Sequence, residues 1–467
     1  MEKNEQFVVT ITDMTNEGEG VGKTDGFIWF IKGTVPGDTV LASAMKLKKT
    51  YGYARKVKVI EASPDRAEPV CPLAGPCGGC QLQDLSYEAQ LRYKENKVLS
   101  AVQRIGGFDM AKIHTEPILG MADPLHYRNK AQYPVSLSKD GRVIAGFYAE
   151  HTHSVIECAG CAIGAETDRA VLSAVTGFME RYHIAPYEEV TGKGVVRHVL
   201  IRTSHATGEI MVCPVINAGK LPHAEEFVSA VTTAVPGVST ICVNINRENT
   251  NVILGEQTEC LFGSGYITDT IGDVKFQVSP RSFFQVNPVQ VEKLYGKALE
   301  YAALTGSETV WDLYCGVGTI SLFLAQHAKK VLGVEIVPQA VENARENARR
   351  NGITNVEFSV GKAEEVTPLW LSCARRVRGT VLSDTPDSPD VICVDPPRKG
   401  CDAVCLQTIL KASPKRIVYV SCDPASLARD LRVLADGGYE LKRLCPVDMF
   451  PQTVHVETVA LLSRTEK

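Results

Sequence analysis

Cys422 is the residue whose type and position point most directly to covalent chemistry. It follows the apolar run RIVYV and stands in Ser421-Cys422-Asp423, at the end of a predicted strand. Open α/β sheets bind ligands at the carboxyl ends of their strands, so this thiol would reach a binding crevice. A cysteine in such a place is more often structural. Methylation of uracil at C5, however, requires a thiolate that adds to C6, and we predict that Cys422 is this nucleophile.

Two residues near the C-terminus, Glu457 and His455, could act as the base that such a reaction needs. The proton on C5 must be removed after methyl transfer so that the thiol can leave. Both residues stand in FPQTVHVETVAL, where a final strand begins. Because alternate residues of a strand share a face, spacing alone leaves both open.

The run from Val310 to Ile320 predicts a strand, a glycine-rich turn and a helix, which together are typical of a cofactor site. Glu335 comes 23 residues after Asp312, at the end of the next predicted strand, where it can accept hydrogen bonds from ribose hydroxyls. A dinucleotide site needs GxGxxG, but Ser321 stands at the third position. An acid before the turn also suits a cationic cofactor without phosphates. We therefore predict S-adenosylmethionine rather than NAD.

Asp395 opens the turn DPPRKG after the apolar run VICV. This order places a carboxylate and a rigid turn at the same edge of the sheet as the glycine turn and Cys422. A simple turn that ends a strand is the other interpretation. The position of Asp395 beside the predicted cofactor pocket favours a role in binding.

Three further cysteines, Cys71, Cys77 and Cys80, lie close together in a loop rich in glycine and proline. Small residues allow three thiolates to converge, and a fourth ligand would complete a zinc site or a four-iron cluster. From spacing alone, zinc is a fair choice. No secretion signal accompanies the 15 cysteines, so reduced thiols are expected rather than disulfides. Four cysteines in apolar runs are predicted to be small buried hydrophobes: Cys213, Cys242, Cys393 and Cys445.

Two units are predicted ahead of the catalytic motifs, in a chain of 467 residues that is long enough for two or three domains. Residues 1–62 hold short strands broken by the turn segments NEGEG, GVGKTDG and VPGD, the pattern of a small β-barrel. Residues 63–280 begin with the cysteine loop and a helix from Tyr87 to Arg104. They continue as a mostly β domain with the strand-like runs VIAGFYA, HVLIRT, EIMVCPVI, TICVNIN and VILGE.

Residues 281–467 form the third predicted unit. Helical and strand-like runs alternate there, which predicts an α/β domain with a doubly wound parallel sheet. The polar segment 373–390 within it is predicted to be a surface insertion. The predicted fold class is therefore multidomain, with a barrel, a mostly β unit and a C-terminal α/β domain.

A basic segment in the predicted barrel is a candidate surface for nucleic acid. The net charge of −4 does not exclude such a partner, because binding depends on local clusters. From Met45 to Val59 there are six cations, with Tyr51 and Tyr53 between them and no acid. The segment is either a solvated basic strand or a surface that binds a phosphate backbone. No apolar run approaches the roughly 18 residues of a membrane span, so we expect a cytoplasmic protein.

Five motifs resemble those of the RNA uracil-5-methyltransferases, and the resemblance covers nearly the whole chain. In chain order they are FFQVN, DLYCGVGT, DPPRKG, YVSCDPASLARD and FPQTVHVET. The resemblance implies that Cys422 is the nucleophile and that Glu457, rather than His455, is the base. It implies S-adenosylmethionine contacts from Gln285, Tyr314, Glu335 and Asp395. Lys362 and Thr319 depart from the pattern of some members, and no role is carried over to them.

The resemblance extends to the N-terminal half. The barrel looks like the OB-like TRAM domain that many of these enzymes carry. In the similar ribosomal-RNA enzymes the cysteine pattern holds a [4Fe-4S] cluster, and Cys161 fits the place of its fourth ligand, with Cys158 as the competitor. We expect this cluster to be structural or to organise RNA, because methylation uses no electron. The implied ligands are Cys71, Cys77, Cys80 and Cys161.

A uridine in structured RNA is the implied substrate. The base must leave its stack to react, which costs least in loops and bulges. The barrel with the cysteine pattern resembles the 23S ribosomal-RNA enzymes more than the transfer-RNA enzymes, so we expect a monomer that acts on 23S rRNA, with tRNA as the alternative. Residues 127–130 (YRNK) are further candidates for RNA contacts.

Two rival functions start from the same motifs. An amino-group methyltransferase is suggested by the DPP turn, but Arg398 stands where an aromatic residue would stack on the base. The second rival is an RNA-binding or iron-sulfur sensor protein with an inactive catalytic domain. Such a protein would not need Cys422, Glu457 and the cofactor motifs, and the presence of the complete set argues against it.

Overall fold

The computed structural model describes residues 2–371, 376–377, 380–381 and 388–465. Its N-terminal unit is a closed barrel of five strands, as predicted. The strands follow one another around the barrel in the order β1-β2-β3-β5-β4. Their bounds are β1 (Gln6–Met14), β2 (Gly20–Thr24), β3 (Phe27–Lys32), β4 (Thr39–Leu47) and β5 (Tyr51–Glu61).

Strand β2 lies where the sequence predicts a turn, so that prediction is wrong. The glycines of GVGKT suggested a break, yet they allow this strand to cross close to the barrel core. A Cβ atom on Gly22 would lie 2.5 Å from a methyl group of Val9, and one on Gly20 would lie 2.9 Å from Ile11. The glycines are therefore required by packing rather than by a turn.

A long helix, α1 (Tyr87–Arg104), follows the barrel with the bounds that the sequence predicts. The Ser86 hydroxyl accepts a hydrogen bond from the Ala89 N–H and so caps the first turn. A short 3₁₀ turn (Met110–Lys112) and the two-residue strand β6 (His114–Thr115) come next.

The central unit is a seven-stranded sheet in the order β13-β12-β11-β10-β7-β8-β9. Two helices that the sequence analysis missed pack their apolar sides against it. The elements in chain order are β7 (Lys130–Leu137), β8 (Val143–Tyr148), β9 (Val155–Glu157), α2 (Asp168–Arg181), β10 (Val196–Thr203), β11 (Ile210–Ile216), α3 (Ala224–Ala234), β12 (Val238–Ile245) and β13 (Gln257–Phe262).

The run VILGE, predicted as a strand, is a loop between β12 and β13. Side-chain amides replace a strand partner there: Asn246 Nδ2 donates to the carbonyls of Val252 and Ile253, at 2.7 and 3.0 Å. The backbone is thus satisfied without a neighbouring strand, and the prediction is wrong for that reason.

The C-terminal unit begins with a hairpin and continues as alternating helices and strands. Its elements are β14 (Ile267–Ile271), β15 (Val274–Val278), α4 (Pro288–Ala302), β16 (Thr309–Leu313), α5 (Thr319–Ala325), β17 (Lys330–Glu335), α6 (Pro338–Arg350), β18 (Val356–Val360), α7 (Ala363–Leu371), β19 (Arg376–Val377), β20 (Thr380–Val381), β21 (Val391–Val394), α8 (Ala403–Ala412), β22 (Arg416–Ser421), α9 (Pro424–Asp436), β23 (Tyr439–Val447) and β24 (Glu457–Arg464). The predicted insertion 373–390 falls largely outside the described residues.

The catalytic unit is built on an eight-stranded sheet in the order β18-β17-β16-β21-β22-β24-β23-β6. Strands β16, β17, β18, β21 and β22 are parallel, as the sequence predicts. Strand β24 is antiparallel to β22 and to β23, so β23 runs in the same direction as the parallel strands. The edge strand β6 and helix α1 come from before the central unit. Val98 and Val102 of α1 share one apolar core with Leu431 of α9. The unit around this sheet is therefore discontinuous in sequence, and the domain boundaries at 62 and 280 stay predictions.

The four cysteines predicted to be buried hydrophobes are buried in strands: Cys213, Cys242, Cys393 and Cys445. Within the described ranges, no helix has the length and apolar character that crossing a membrane requires.

Candidate active site

A cavity of about 1330 Å³ opens at the carboxyl edge of the parallel strands. It brings together all six residues that the sequence analysis assigned to catalysis and to the cofactor, and the alternative base His455 lines it as well. Lys362 and Thr319, to which no role was assigned, also lie in its wall. The six are Gln285, Tyr314, Glu335, Asp395, Cys422 and Glu457.

The glycine turn between β16 and α5 forms one wall of this cavity. Its backbone has positive φ at Tyr314 (72°), Gly316 (55°) and Gly318 (83°). A Cβ atom on Gly316 would meet nothing within 4 Å, so the turn borders open space. The Glu335 carboxylate accepts hydrogen bonds from the N–H groups of Gly316 and Val337, at 3.2 and 2.9 Å. The turn and the acid at the end of β17 are thus fixed against each other.

Asp312 lies beneath the turn and is fully buried. The Ser321 hydroxyl donates a hydrogen bond to one of its oxygens, whereas Oδ1 is buried without a hydrogen-bond partner among the described residues. Burial raises the pKa of Asp312 to about 7, with a further increase from the nearby Asp395. Ser321, which stands at the third position of the dinucleotide pattern in place of glycine, therefore holds the Asp312 carboxylate through a hydrogen bond. An unpaired carboxylate oxygen in the cavity wall suits a cationic group.

Cys422, at the end of β22, lies in the same cavity as the buried carboxyl group of Glu457 and the half-buried one of Asp395. The pKa of the Cys422 thiol is raised to about 12. Burial is the main cause, the charges of Glu457 and Asp395 add to it, and Arg398 opposes it. Burial also raises the pKa of Asp395, to about 7, and that of Glu457 well above its usual value. Two negative charges in one cavity disfavour each other, and the charge of Asp395 accordingly adds to the increase in the pKa of Glu457.

His455 is the weaker of the two candidate bases in this setting. Its pKa is lowered to about 4, mainly by burial and in addition by nearby cations: Arg398, Lys97, Lys94 and Arg128. Its Nε2 atom lies 3.5 Å from the Arg398 guanidinium. The pKa of Glu457 is instead raised, which makes its carboxylate a stronger base, so the electrostatics favour Glu457.

Curated relatives match this chain over nearly its whole length. An uncharacterized RNA methyltransferase of Halalkalibacterium halodurans is 51% identical over 460 residues, which are 98% of this chain and 97% of that protein. The sequence model of the family tRNA (Uracil-5-)-methyltransferase matches residues 252–465, and that of the TRAM domain matches residues 2–57. The chain belongs to the RNA (uracil-5-)-methyltransferase family.

Further comparisons agree with this assignment. An uncharacterized RNA methyltransferase of Clostridium acetobutylicum is 47% identical over 467 residues, covering 100% of this chain and 99% of that protein. The crystal structure of the Pyrococcus abyssi tRNA (uracil-54, C5)-methyltransferase, in complex with S-adenosyl-L-homocysteine, is similar with a TM-score of 0.76 and 28% identity. The similarity covers 97% of this chain and 99% of that one. The protein is therefore an RNA methyltransferase with the multidomain fold that the sequence predicts.

The loop between β23 and β24, residues 448–456, leads directly to Glu457 and is held by buried polar side chains. Lys94 of α1 lies 2.5 Å from Asp448, and both side chains are fully buried. The Lys94 ammonium also donates to the Phe450 carbonyl at 2.9 Å, and Tyr87 donates to the other Asp448 oxygen at 2.9 Å. From α4, the Gln290 amide donates to the Asp448 carbonyl at 3.0 Å. Helices on both sides thus fix this loop.

Sequence reasoning missed Lys94, although a signal was present. Lys94, Val98 and Val102 recur every four residues and all three are buried, so the lysine lies in the apolar stripe of α1. A lysine in such a stripe is rarely buried unless it is paired. The pattern could therefore have indicated an acidic partner, but nothing local pointed to Asp448, which is 354 residues away.

The predicted metal ligands Cys71, Cys77, Cys80 and Cys161 line a second cavity of about 350 Å³, together with the competitor Cys158. The pKa of the Cys80 thiol is raised to about 12, mainly by burial and in addition by the neighbouring thiols, of which Cys161 has the largest effect. Among the described residues, however, no group of three or more His, Cys, Asp or Glu side chains is arranged so that it could hold a metal ion. The structure therefore brings the cysteines to one cavity without showing a metal centre.

The segment 127–130 has a structural role that its sequence did not reveal. Tyr127 is buried and donates to the Pro451 carbonyl at 3.0 Å, and buried Asn129 donates to the Gln285 carbonyl at 3.0 Å. These two side chains are engaged inside the protein, so the prediction that they contact RNA is wrong. They instead connect the central unit to the active-site loops.

Proposed function

We propose that this protein methylates C5 of a specific uridine in structured RNA through a covalent bond between Cys422 and C6 of the base. The observation that carries the proposal is that one cavity holds the Cys422 thiol, the carboxyl groups of Glu457 and Asp395, and an unpaired oxygen of Asp312 beneath the glycine turn. The family assignment supports RNA as the substrate and C5 of uracil as the atom that is methylated.

S-adenosylmethionine is the proposed methyl donor, and it supplies a methyl group on a sulfonium cation. The unpaired oxygen of Asp312 and the charge of Glu335 suit the cationic and hydroxyl groups of such a molecule. The open space at Gly316 admits a ligand close to the backbone. Besides Glu335, the contacts that we propose for this donor are Gln285, Tyr314 and Asp395.

The proposed reaction uses Cys422 and Glu457 in sequence. The Cys422 thiol loses its proton to solvent, and its sulfur forms a bond to C6. The electron pair of the C5–C6 double bond then bonds C5 to the methyl carbon as the bond from that carbon to the donor sulfur breaks, and S-adenosylhomocysteine leaves as a neutral thioether. Glu457 then takes the proton from C5, the double bond reforms and the sulfur leaves as thiolate. The raised pKa of Glu457 makes its carboxylate a stronger base, and Arg398 stabilises negative charge on both reacting groups.

Substitution of Cys422 by Ala tests this proposal. The control is Cys260→Ala, because Cys260 lines the same cavity and is exposed. Methyl transfer from labelled S-adenosylmethionine to RNA from a strain that lacks the protein should disappear in Cys422→Ala and persist in Cys260→Ala. An amino-group methyltransferase would retain activity in Cys422→Ala, and wild-type rates in that variant would overturn the proposal.

We propose 23S rRNA as the substrate, acted on by a monomer in the cytoplasm. The TRAM barrel and the cysteine cavity together support this choice. Transfer RNA is the second candidate, because the similar Pyrococcus abyssi enzyme is by its name a tRNA (uracil-54, C5)-methyltransferase. Mapping of 5-methyluridine in 23S rRNA and in tRNA from a deletion strain separates the two, since only the true substrate loses the modification.

We further propose a [4Fe-4S] cluster in the cysteine cavity. Cys161 is preferred to Cys158 as fourth ligand, as the resemblance to the ribosomal-RNA enzymes implies; both line the cavity, and Cys161 is the more exposed of the two. Protein purified without oxygen should contain iron and acid-labile sulfide, and Cys161→Ser should lose both while Cys158→Ser retains them. Zinc in place of iron, or retention in Cys161→Ser, would contradict the assignment.

A further inference from the structure

Arg398, on the turn after Asp395, is a cation of the active-site cavity. It lines this cavity together with Cys422 and Glu457, and its charge favours the ionised form of both. The side chain is exposed, and its guanidinium lies 3.5 Å from the His455 Nε2 atom, which is too long for a strong hydrogen bond. The place of this charge therefore depends on the backbone that carries it.

Residues 397–401, which we call the Arg398 turn, pack directly against helix α9. The Gly400 N–H donates to the Pro397 carbonyl at 2.8 Å and closes the turn. Gly400 has a φ of 77°, and a Cβ atom there would lie 2.5 Å from Asp430 Oδ2 and 2.5 Å from Arg429 Nη2. No side chain fits between the turn and the helix at this position.

Two side chains of α9 hold the carbonyl groups of the Arg398 turn. The Ser426 hydroxyl donates to the carbonyl of Arg398 itself at 2.9 Å. The Arg429 guanidinium donates to the carbonyls of Lys399 and Cys401, at 2.8 and 3.3 Å. The backbone of the turn is therefore fixed on both sides of Gly400.

Asp430 holds the N–H side of the turn and connects the other groups. Its fully buried carboxylate accepts hydrogen bonds at one oxygen from the Cys401 N–H, at 2.8 Å, and from the Tyr419 hydroxyl, at 2.6 Å. The other oxygen accepts from Arg429 Nε at 2.8 Å. Ser426 lies four residues before Asp430, so the side chains that hold the turn share one face of α9.

The elements that Asp430 joins to the turn are also those that carry the proposed nucleophile. Tyr419 belongs to β22, which ends at Ser421, and α9 begins at Pro424. Cys422 lies between these two elements. The Arg398 turn and the Cys422 thiol are thus held by the same strand and the same helix.

We propose that Asp430 is a positioning residue, which holds the Arg398 turn so that the Arg398 guanidinium stabilises the thiolate of Cys422. Two other charged groups act on this sulfur, Glu457 of β24 and Asp395 before the turn, and both disfavour the thiolate. A displaced Arg398 would leave these two charges unopposed. The inference rests on the proposed function only in taking Cys422 as the nucleophile.

The test measures how fast iodoacetamide alkylates Cys422 in the full-length enzyme at pH 8. The rate reports the thiolate fraction, because the thiolate is the reactive form. Peptide mapping by mass spectrometry separates Cys422 from the other cysteines, and the exposed Cys260 is the internal reference. We expect Asp430→Asn to lower the rate at Cys422 roughly five- to tenfold, as Arg398→Met should. Loss of the Asp430 charge alone would favour the thiolate and raise the rate, so the sign separates positioning from direct electrostatics.

A double-mutant cycle shows whether Asp430 acts through Arg398. In the Arg398→Met background, Asp430→Asn should cause no further fall in the alkylation rate at Cys422, because the group that it positions is already absent. A wild-type or faster rate in Asp430→Asn, or an equal fall in both backgrounds, would overturn the proposal.

Two further variants separate positioning from general loss of stability. Leu431→Ala removes a buried apolar side chain of α9 that packs in the core, so it should destabilise the protein and keep the wild-type alkylation rate at Cys422. A fall equal to that in Asp430→Asn would overturn the proposal. If Asp430→Asn does not fold, Arg429→Met takes its place, because the Arg429 side chain is half-exposed. It should lower the rate only while Arg398 is present, and an equal fall without Arg398 would contradict the proposal.

The alkylation assay uses neither RNA nor S-adenosylmethionine, so its result does not depend on methyl transfer. Methylation of RNA by the wild-type enzyme is measured in parallel. If methylation is absent and the alkylation rates are as expected, the proposed function is refuted while the positioning role of Asp430 is supported.

Discussion

Replacing Lys94 by Met removes one partner of a fully buried ion pair and leaves the other in place. Asp448 is 0% exposed, and Tyr87 would be its one remaining side-chain donor among the described residues. Removal of one partner of a buried pair costs about 3 to 5 kcal/mol, because it leaves an uncompensated charge. We expect Lys94→Met to lower the free energy of unfolding of the catalytic unit by that amount.

The same substitution should impair catalysis beyond its effect on stability. Lys94 also donates to the Phe450 carbonyl, so the loop that leads to Glu457 loses two anchors at once. Misplacement of a catalytic group by about 1 Å can lower a rate roughly a hundredfold. We expect kcat for methyl transfer to fall by roughly ten to a hundredfold at temperatures where the variant is folded.

The double variant Lys94→Met/Asp448→Asn provides the control. It removes both charges and keeps a group that can accept the hydrogen bond from Tyr87, so most of the lost stability should return. Urea unfolding gives the free energies, and hydrogen exchange of residues 448–456 reports on the loop. A loss below about 1 kcal/mol in the single variant, or a double variant less stable than the single one, would refute this account of the pair.

Three other predictions concern the cavity itself. Glu457→Gln should accumulate a protein–RNA complex that survives denaturing electrophoresis, because the adduct forms but its C5 proton stays; absence of that band would exclude Glu457 as the base. Asp312→Asn should weaken binding of S-adenosylhomocysteine, measured by calorimetry, by roughly ten to a hundredfold, since a charge-assisted hydrogen bond contributes about 1.5 to 3 kcal/mol. The Cys422 thiol, with a pKa of about 12, is neutral at pH 7, so its thiolate fraction and the rate of adduct formation should rise about tenfold per pH unit from 7 to 9. A rate that stays flat over that range would indicate proton transfer within the site.

The parallel part of the catalytic sheet could be predicted from sequence because its signals are local. Strands such as β16 and β22 are apolar runs, and each is followed at once by the chemical group that it positions. The carboxyl ends of parallel strands lie along one edge of the sheet, so the sequence predicts that Asp312, Asp395 and Cys422 lie close together. In the structure all three line the same cavity.

The features that sequence reasoning missed depend on contacts that form only when the chain folds, some of them between distant residues. Gly20 and Gly22 look like turn residues until the barrel closes over them. Tyr127 and Asn129 look like surface groups until the loops that accept their hydrogen bonds are in place. Single-sequence patterns carry no information about partners 100 or more residues away, and glycine is ambiguous between a turn and close packing.

The discontinuous catalytic unit has a consequence for synthesis of the protein in the cell. Helix α1 leaves the ribosome early, but its lysine finds Asp448 only after 354 further residues are made. At about 5 to 20 residues per second, that delay is roughly 20 to 70 s. During this interval the apolar stripe of α1 and the lysine within it have no final neighbours, while the barrel ahead of them can already close. The segment that contains Glu457, the proposed base, is thus translated long after the helix that holds it in place.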